Sequence, residues 1–163
     1  MRWFRFAALI IIAMLLQASL VDVIAVANVK PDFLLIELVF FAVYCSPSEA
    51  IATSFLTGFA ADVIGSVIGP QTISFGLLGS LLAYLNSVIA IRRIPYQSFV
   101  IAVVGFLAGE MGVFFSFMKG QPSPAGAFAV LVGTPLYSAV VGPYLFLLLA
   151  WWLDIKTHRS ARR

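Results

Sequence analysis

The chain has 163 residues, of which 62% are hydrophobic and only 10% are charged, with a formal net charge of +3. A soluble domain carries about a quarter charged residues to cover its surface. The composition therefore excludes an ordinary water-soluble protein and is typical of a chain whose solvent is lipid.

Six apolar stretches follow one another along the chain. A helix needs about 20 apolar residues to cross a hydrocarbon core of about 30 Å. We therefore predict an all-α integral membrane protein, a single domain over residues 1–163, with six transmembrane helices. The predicted spans are residues 6–27, 33–45, 49–68, 72–91, 96–118 and 125–153.

The second predicted span is the shortest, since its apolar part is only about 20 Å long as a helix. Two arrangements fit the second and third spans. They form either a hairpin of short helices bent at Pro47 or a re-entrant element that neighbouring spans shield from lipid.

Basic residues indicate the topology, because Lys and Arg collect on the cytoplasmic side of membrane proteins. With the N-terminus inside, eight basic residues lie in cytoplasmic segments, and only Lys30 and Lys119 lie in outer loops. We therefore predict that both termini are cytoplasmic. Residues 25–27 also resemble a signal cleavage site, but five more apolar spans follow, so we expect the first span to be retained.

Few residues of the sequence suit catalysis or metal binding. The single cysteine, Cys45, cannot form an intramolecular disulfide, and the single histidine, His158, cannot build a histidine-based zinc site. Hydrolase and nucleotide-binding motifs are also missing from the sequence. We predict a protein that is not an enzyme and needs no cofactor, and whose basic tail contacts lipid headgroups and not nucleic acid.

Four carboxylates lie in or beside the spans, and the predicted topology places all of them in the outer half of the membrane: Asp22, Glu37, Asp62 and Glu110. Ionisable groups at such depths cost several kcal/mol unless they are paired, hydrated or neutralised. Each of the four is therefore a candidate functional residue.

Each carboxylate also has a simpler interpretation. Asp22 is close enough to the interface to reach water, and Glu37 could pair with Lys30 or reach the headgroups. Asp62 could accept backbone N–H groups in the glycine turn that follows it. Glu110 is the deepest, about 12 Å below the outer end of its span. We predict that it faces the bundle interior and hydrogen-bonds to Asn86 or Ser116.

Gly105 and Gly109 form a G-x-x-x-G pattern in the fifth span. Small residues let helices approach closely in lipid. The pattern predicts either packing inside this chain or docking of another protein's helix. Pro135 and Pro143 lie inside the sixth span and predict a kink.

Two segments resemble the MreD family of rod shape-determining membrane proteins: residues 30–35 and 57–69. Pro31 and Asp32 fall on the basic-Pro-(Asp/Asn) segment that opens the second span in that family. Four further residues fall on the family's helix end and glycine turn, namely Asp62, Gly65, Ser66 and Gly69. Residues 67–68, and a proline directly after the turn, depart from the usual family pattern.

The resemblance implies a non-enzymatic scaffold of the cell-elongation machinery in the bacterial cytoplasmic membrane. Such proteins partner the single-pass protein MreC and act with MreB, RodA and a class B penicillin-binding protein in peptidoglycan synthesis. The candidate partner-interaction or pocket residues are Pro31, Asp32, Glu37, Asp62, Gly65, Ser66, Gly69, Gly105, Gly109 and Glu110.

The MreD family also resembles in fold the substrate-binding S components of energy-coupling-factor vitamin transporters. This suggests an alternative function, a subunit that binds a small molecule under the outer loops. The first span lacks the Ala-x-x-x-Ala docking pattern of S components, so the scaffold is favoured. Membrane lipids are expected contacts in either case.

Overall fold

The computed structural model describes residues 3–19, 24–25, 29–65, 69–88, 94–118, 120 and 127–153. Six α-helices lie in these ranges: α1 Trp3–Ser19, α2 Phe33–Tyr44, α3 Pro47–Gly65, α4 Pro70–Val88, α5 Ile94–Met118 and α6 Ala127–Leu153. The all-helical prediction is confirmed for this part of the chain.

Two helices, α5 and α6, are long and apolar enough to cross a membrane among the residues that the structure describes. The qualifying stretches are Tyr96–Phe115 and Ala129–Trp152. The helices α1 and α2 are apolar but shorter. Length and composition therefore fit a membrane protein, with α5 and α6 as its clearest candidate spans.

The first helix is shorter than the predicted first span. It ends at Ser19, and residues 24, 25 and 29 are described as non-helical, so a helix continuing to residue 27 is wrong. The side chain of Gln17 ties this end to the next segment: Nε2 donates to the Pro31 carbonyl at 3.5 Å, and Oε1 accepts from the Phe33 N–H at 3.0 Å. Among the described apolar residues that follow α1, Val29 packs against Gly133 without being helical. The other five helices begin and end within three residues of the predicted spans.

The shortest helix, α2, lies at the centre of the bundle. It contacts each of the other five helices, and every residue from Leu34 to Val43 is buried. With 12 residues it is about 18 Å long. Neighbouring helices therefore shield it from lipid, as the re-entrant arrangement requires and as the hairpin arrangement allows.

Aromatic side chains join α2 to the first and last helices. The ring of Phe41 packs edge-on against Phe6 of α1 with centroids 4.9 Å apart, and Phe40 packs against Phe146 of α6 at 5.4 Å. Edge-to-face pairs add to the stabilisation that comes from burial alone. This cluster fixes one end of the bundle, away from the start of α2.

The helices α3 and α4 pack closely through small residues. A methyl group at Gly58 would lie 2.7 Å from the Gln71 carbonyl oxygen and 2.8 Å from the Thr72 Cα. Gly76 of α4 faces the ring of Phe55 in the same way. Glycine at these positions brings the two backbones together and places the end of α3 beside the start of α4.

Candidate functional site

The Asp62 carboxylate is the most fully hydrogen-bonded acidic group among the described residues. It is 1% exposed. Its Oδ2 accepts from the Gly69 N–H at 2.8 Å and the Thr72 N–H at 2.9 Å, and Oδ1 accepts from the Gln71 N–H at 2.9 Å. The hydroxyl of Thr72 donates to Oδ2 as well. Four donors therefore converge on one side chain.

These donors are groups that the start of a helix leaves without partners. The first N–H groups of a helix have no intrahelical acceptor. Here Pro70 stands at the first helical position, where its missing N–H costs nothing. The carboxylate of Asp62 reaches across from α3 and caps the two N–H groups that follow, at Gln71 and Thr72. Of the two predicted roles, the geometry supports the cap on the turn.

The glycine turn between α3 and α4 is only partly described. Gly69 has φ of 118°, a conformation that side chains disfavour. Gly65 has nothing within 4 Å of where a Cβ would stand, so no close packing requires glycine there. Ser66 lies outside the described residues. Among these turn residues, Gly69 has the clearest structural requirement.

The segment that opens α2 forms a second polar cluster. Asp32 caps α2, because its Oδ1 accepts from the Leu35 N–H at 3.1 Å. Its own N–H donates to Ser138 Oγ of α6 at 2.8 Å. Pro31 is buried, and its carbonyl accepts from Gln17 of α1. This cluster joins α1, α2 and α6.

The position of Ser138 shows how deep α2 begins. It lies 11 residues after the start of α6, a distance of about 16 Å along that helix. Leu35 lies against Gly105, near the middle of α5. The start of α2 is therefore sunk well below the neighbouring ends of α5 and α6.

Glu37 is buried deeper than predicted. It is 4% exposed, and its Oε2 has no hydrogen-bond partner. The next residue, Leu38, lies beside Gly79 in the middle of α4. The predicted reach to headgroups is wrong because the side chain is enclosed at mid-bundle.

The prediction that Glu110 faces the interior is wrong, because the residue is exposed on α5. Asn86, one of its predicted partners, donates to the Val43 carbonyl at 2.8 Å, and the side chain of Ser116 lies outside the described residues. The glycines explain the orientation. Gly105 packs against Leu35 and Pro135, and Gly109 packs against Leu131. Turning these glycines inward directs Glu110 outward, and the G-x-x-x-G pattern packs inside this chain.

A groove of about 330 Å³ runs between α4 and α5 on the outside of the bundle. Its lining is apolar apart from one tyrosine: Leu78, Leu81, Leu82, Leu85, Tyr96, Phe99, Val100, Val103, Val104 and Leu107. This groove is not at the position of the ligand pocket predicted under the outer loops.

Two polar residues of the α2 cluster were not identified from the sequence: Gln17 and Ser138. Gln17 had a usable signal, since it is an amide inside an otherwise apolar run. Ser138 had none, because serine is common in membrane helices that pack together. No group of three or more potential metal ligands occurs in the described part of the chain.

Six packed helices, one of them fully enclosed and two long enough to cross a bilayer, define an all-helical protein of the membrane type. The family model for the rod shape-determining protein MreD matches residues 1–152. The chain belongs to the MreD family, which confirms the resemblance seen in the sequence. No curated protein and no solved structure matches the chain.

Proposed function

We propose that this protein is a non-enzymatic scaffold of the bacterial cell-elongation machinery in the cytoplasmic membrane. In this role it binds an MreC-like single-pass protein and, through that complex, acts with MreB, RodA and a class B penicillin-binding protein. The observation that carries the proposal is the family match over residues 1–152, because the family is one of rod shape determination.

The arrangement of polar groups supports a structural role for the protein. Asp62 and Asp32 both cap helices, and neither faces a cavity that the structure describes. Catalysis usually needs titratable groups that converge on a substrate pocket. These two carboxylates hold helices in place, as expected of a protein that presents surfaces to partners.

Depletion in a rod-shaped host tests the shape function. We expect cells to round up before growth stops, because lateral wall synthesis loses its scaffold while division continues. Cell width measured by microscopy during depletion is the readout, and re-expression of the intact chain is the control. Cells that keep their width through several generations of depletion would remove the proposal.

The proposed topology has six crossings with both termini in the cytoplasm. A reporter fused after Arg163 should be active only in the cytoplasm, because the basic residues gather on that side. A second fusion within the predicted outer loop near Lys119 should show the opposite behaviour. Periplasmic activity of the C-terminal fusion would contradict the span count.

Charge reversal at Asp62 tests whether this turn also serves the partner. We expect Asp62→Lys to reduce co-purification with an MreC-like protein, since α4 would lose its cap and its position. Asp62→Asn, which keeps an acceptor oxygen, should retain most of the complex. Full binding by folded Asp62→Lys protein would restrict this carboxylate to a role within the chain.

The alternative, a vitamin-binding S component, gains no support from the cavity that the structure describes. That groove opens on the side of the bundle, and its lining has one polar side chain, Tyr96. Small-molecule sites usually place several polar groups to orient a ligand. The groove suits an apolar surface better than a vitamin.

A further inference from the structure

Glu110 is exposed on a helix face that is otherwise apolar. The neighbouring exposed residues on α5 are Phe106, Phe114, Phe117 and Met118, and the last three lie between Glu110 and the end of the helix. Because Met118 lies eight positions after Glu110, apolar surface extends about 12 Å beyond it. A glutamate side chain is too short to cover that distance to water.

A carboxylate facing hydrocarbon at this depth is costly unless a partner neutralises it or donates to it. Among the described residues no hydrogen bond or ion pair reaches Glu110, and its predicted partner Asn86 donates to the Val43 carbonyl. A donor from a second molecule would remove the cost. The chemistry that fits is a lysine, arginine or histidine, or an amide N–H, on an otherwise apolar helix.

The spacing of residues on α5 suits a partner that is itself a helix. Glu110 belongs to a series with alternating steps of four and three residues: Tyr96, Val100, Val103, Leu107, Glu110, Phe114 and Phe117. This heptad spacing is the pattern by which one helix packs along another at a small crossing angle. The first four members line the groove between α4 and α5. Glu110 follows Leu107 by about one turn, so the groove and the carboxylate lie on the same face of α5.

We propose that the α4–α5 face, defined as this groove together with Glu110, is the seat of a partner's transmembrane helix. That helix packs its apolar side chains into the groove and places a hydrogen-bond donor or cation opposite Glu110. The inference rests on the proposed scaffold function, which requires a membrane-embedded partner. It adds to that function the surface used and the chemistry of the residue that the partner must carry.

Four variants of the full chain test the seat, with co-purification of the MreC-like protein in mild detergent as the readout. Glu110→Leu should weaken the complex about 3- to 30-fold, the effect of one interhelical hydrogen bond in lipid. Glu110→Gln keeps an acceptor and should lose less. Val103→Trp fills the groove and should weaken the complex at least as much as Glu110→Leu. Val140→Trp, at an exposed site on α6, is the matched control and should bind normally.

If the wild-type complex forms and all four variants bind equally, the seat lies elsewhere and the scaffold function is unaffected. If the wild-type protein does not bind the MreC-like protein, the proposed partnership fails, and a crosslink decides the seat separately. For this measurement, the photoreactive amino acid p-benzoylphenylalanine replaces Leu107, and native membranes are irradiated so that its ketone inserts into a nearby C–H bond of any side chain in contact. An adduct with a single-crossing protein that disappears with Glu110→Leu supports the seat. An adduct with a second copy of this chain, or no adduct, overturns it.

Discussion

Asp62 and Glu37 are both buried carboxylates, yet their surroundings differ completely. Asp62 accepts four hydrogen bonds at the join of α3 and α4. Glu37 lies inside the central helix with an oxygen that has no partner. Asp62 stabilises the fold through these hydrogen bonds, whereas the unpartnered oxygen of Glu37 lowers the stability of the fold. Burial alone therefore does not separate structural from functional acidic residues, because the donors around each group decide its contribution.

Removing the cap at Asp62 should have the largest effect. Asp62→Ala leaves three backbone N–H groups without their acceptor, and hydrogen bonds to charged groups contribute about 1.5–3 kcal/mol each. We expect the free energy of unfolding to fall by about 3 kcal/mol or more, measured by denaturation in mild detergent. Asp62→Asn should lose less. An unfolding curve for Asp62→Ala that matches the wild type would contradict the cap.

The close contact that positions the cap should rank next. In Gly58→Ala the new methyl group meets the Gln71 carbonyl and the Thr72 Cα, both backbone atoms that cannot move aside. We expect a loss of about 1–3 kcal/mol by the same assay. Gly65→Ala is the matched control, since nothing lies near its Cβ position, and it should be neutral or slightly stabilising. Equal losses at both sites would show that close packing is not the cause.

A smaller effect is expected where α6 meets the start of α2. Ser138→Ala leaves the N–H of Asp32 without its acceptor, at a cost of about 1 kcal/mol. Ser80→Ala serves as the control, because the Ser80 hydroxyl donates only within its own helix, to the Gly76 carbonyl. The two variants should differ in thermal midpoint by a few degrees. Identical midpoints would mean that the α2–α6 hydrogen bond contributes nothing.

Glu37 should give the smallest change in stability. Glu37→Met replaces a buried carboxyl that has an unpartnered oxygen with an apolar side chain, so we expect an effect between zero and a gain of about 1 kcal/mol. Complementation of a depleted strain sharpens the comparison with Asp62. A stable Glu37→Met protein that fails to restore rod shape would show that the carboxyl is needed for function. A marked loss of stability would show that the carboxyl makes a stabilising hydrogen bond in the folded protein.

Much of the helical framework could be predicted, because long apolar runs and their proline and glycine boundaries are local signals. Five helices lie close to the predicted spans, and the cap by Asp62 was one of its two predicted roles. The orientation of Glu110 could not be predicted, since apolar residues occur on every side of α5 and so do not mark which face is buried. The glycine pattern was noticed, but its inward packing depends on Leu35, Leu131 and Pro135 from other helices.

The end of α1 was misjudged for a related reason. The run through residue 27 is largely apolar, and a long apolar run predicts a helix. In the structure Val29 packs against Gly133 and Gln17 bonds to the segment that opens α2, and the described residues 24, 25 and 29 are not helical. Such contacts join residues far apart in the chain, so no local pattern reports them.

The sunken start of α2 has a consequence for biogenesis. Asp32 and the hydroxyl that accepts its N–H are 106 residues apart in the chain, so the second helix emerges from the ribosome long before its final neighbour exists. Until α6 is made, that helix is held by early neighbours alone, and the Asp32 N–H lacks the serine hydroxyl that accepts it. A chain that stops before α6 therefore keeps an unsatisfied backbone donor at the start of its central helix, and burying that donor costs about 1–3 kcal/mol.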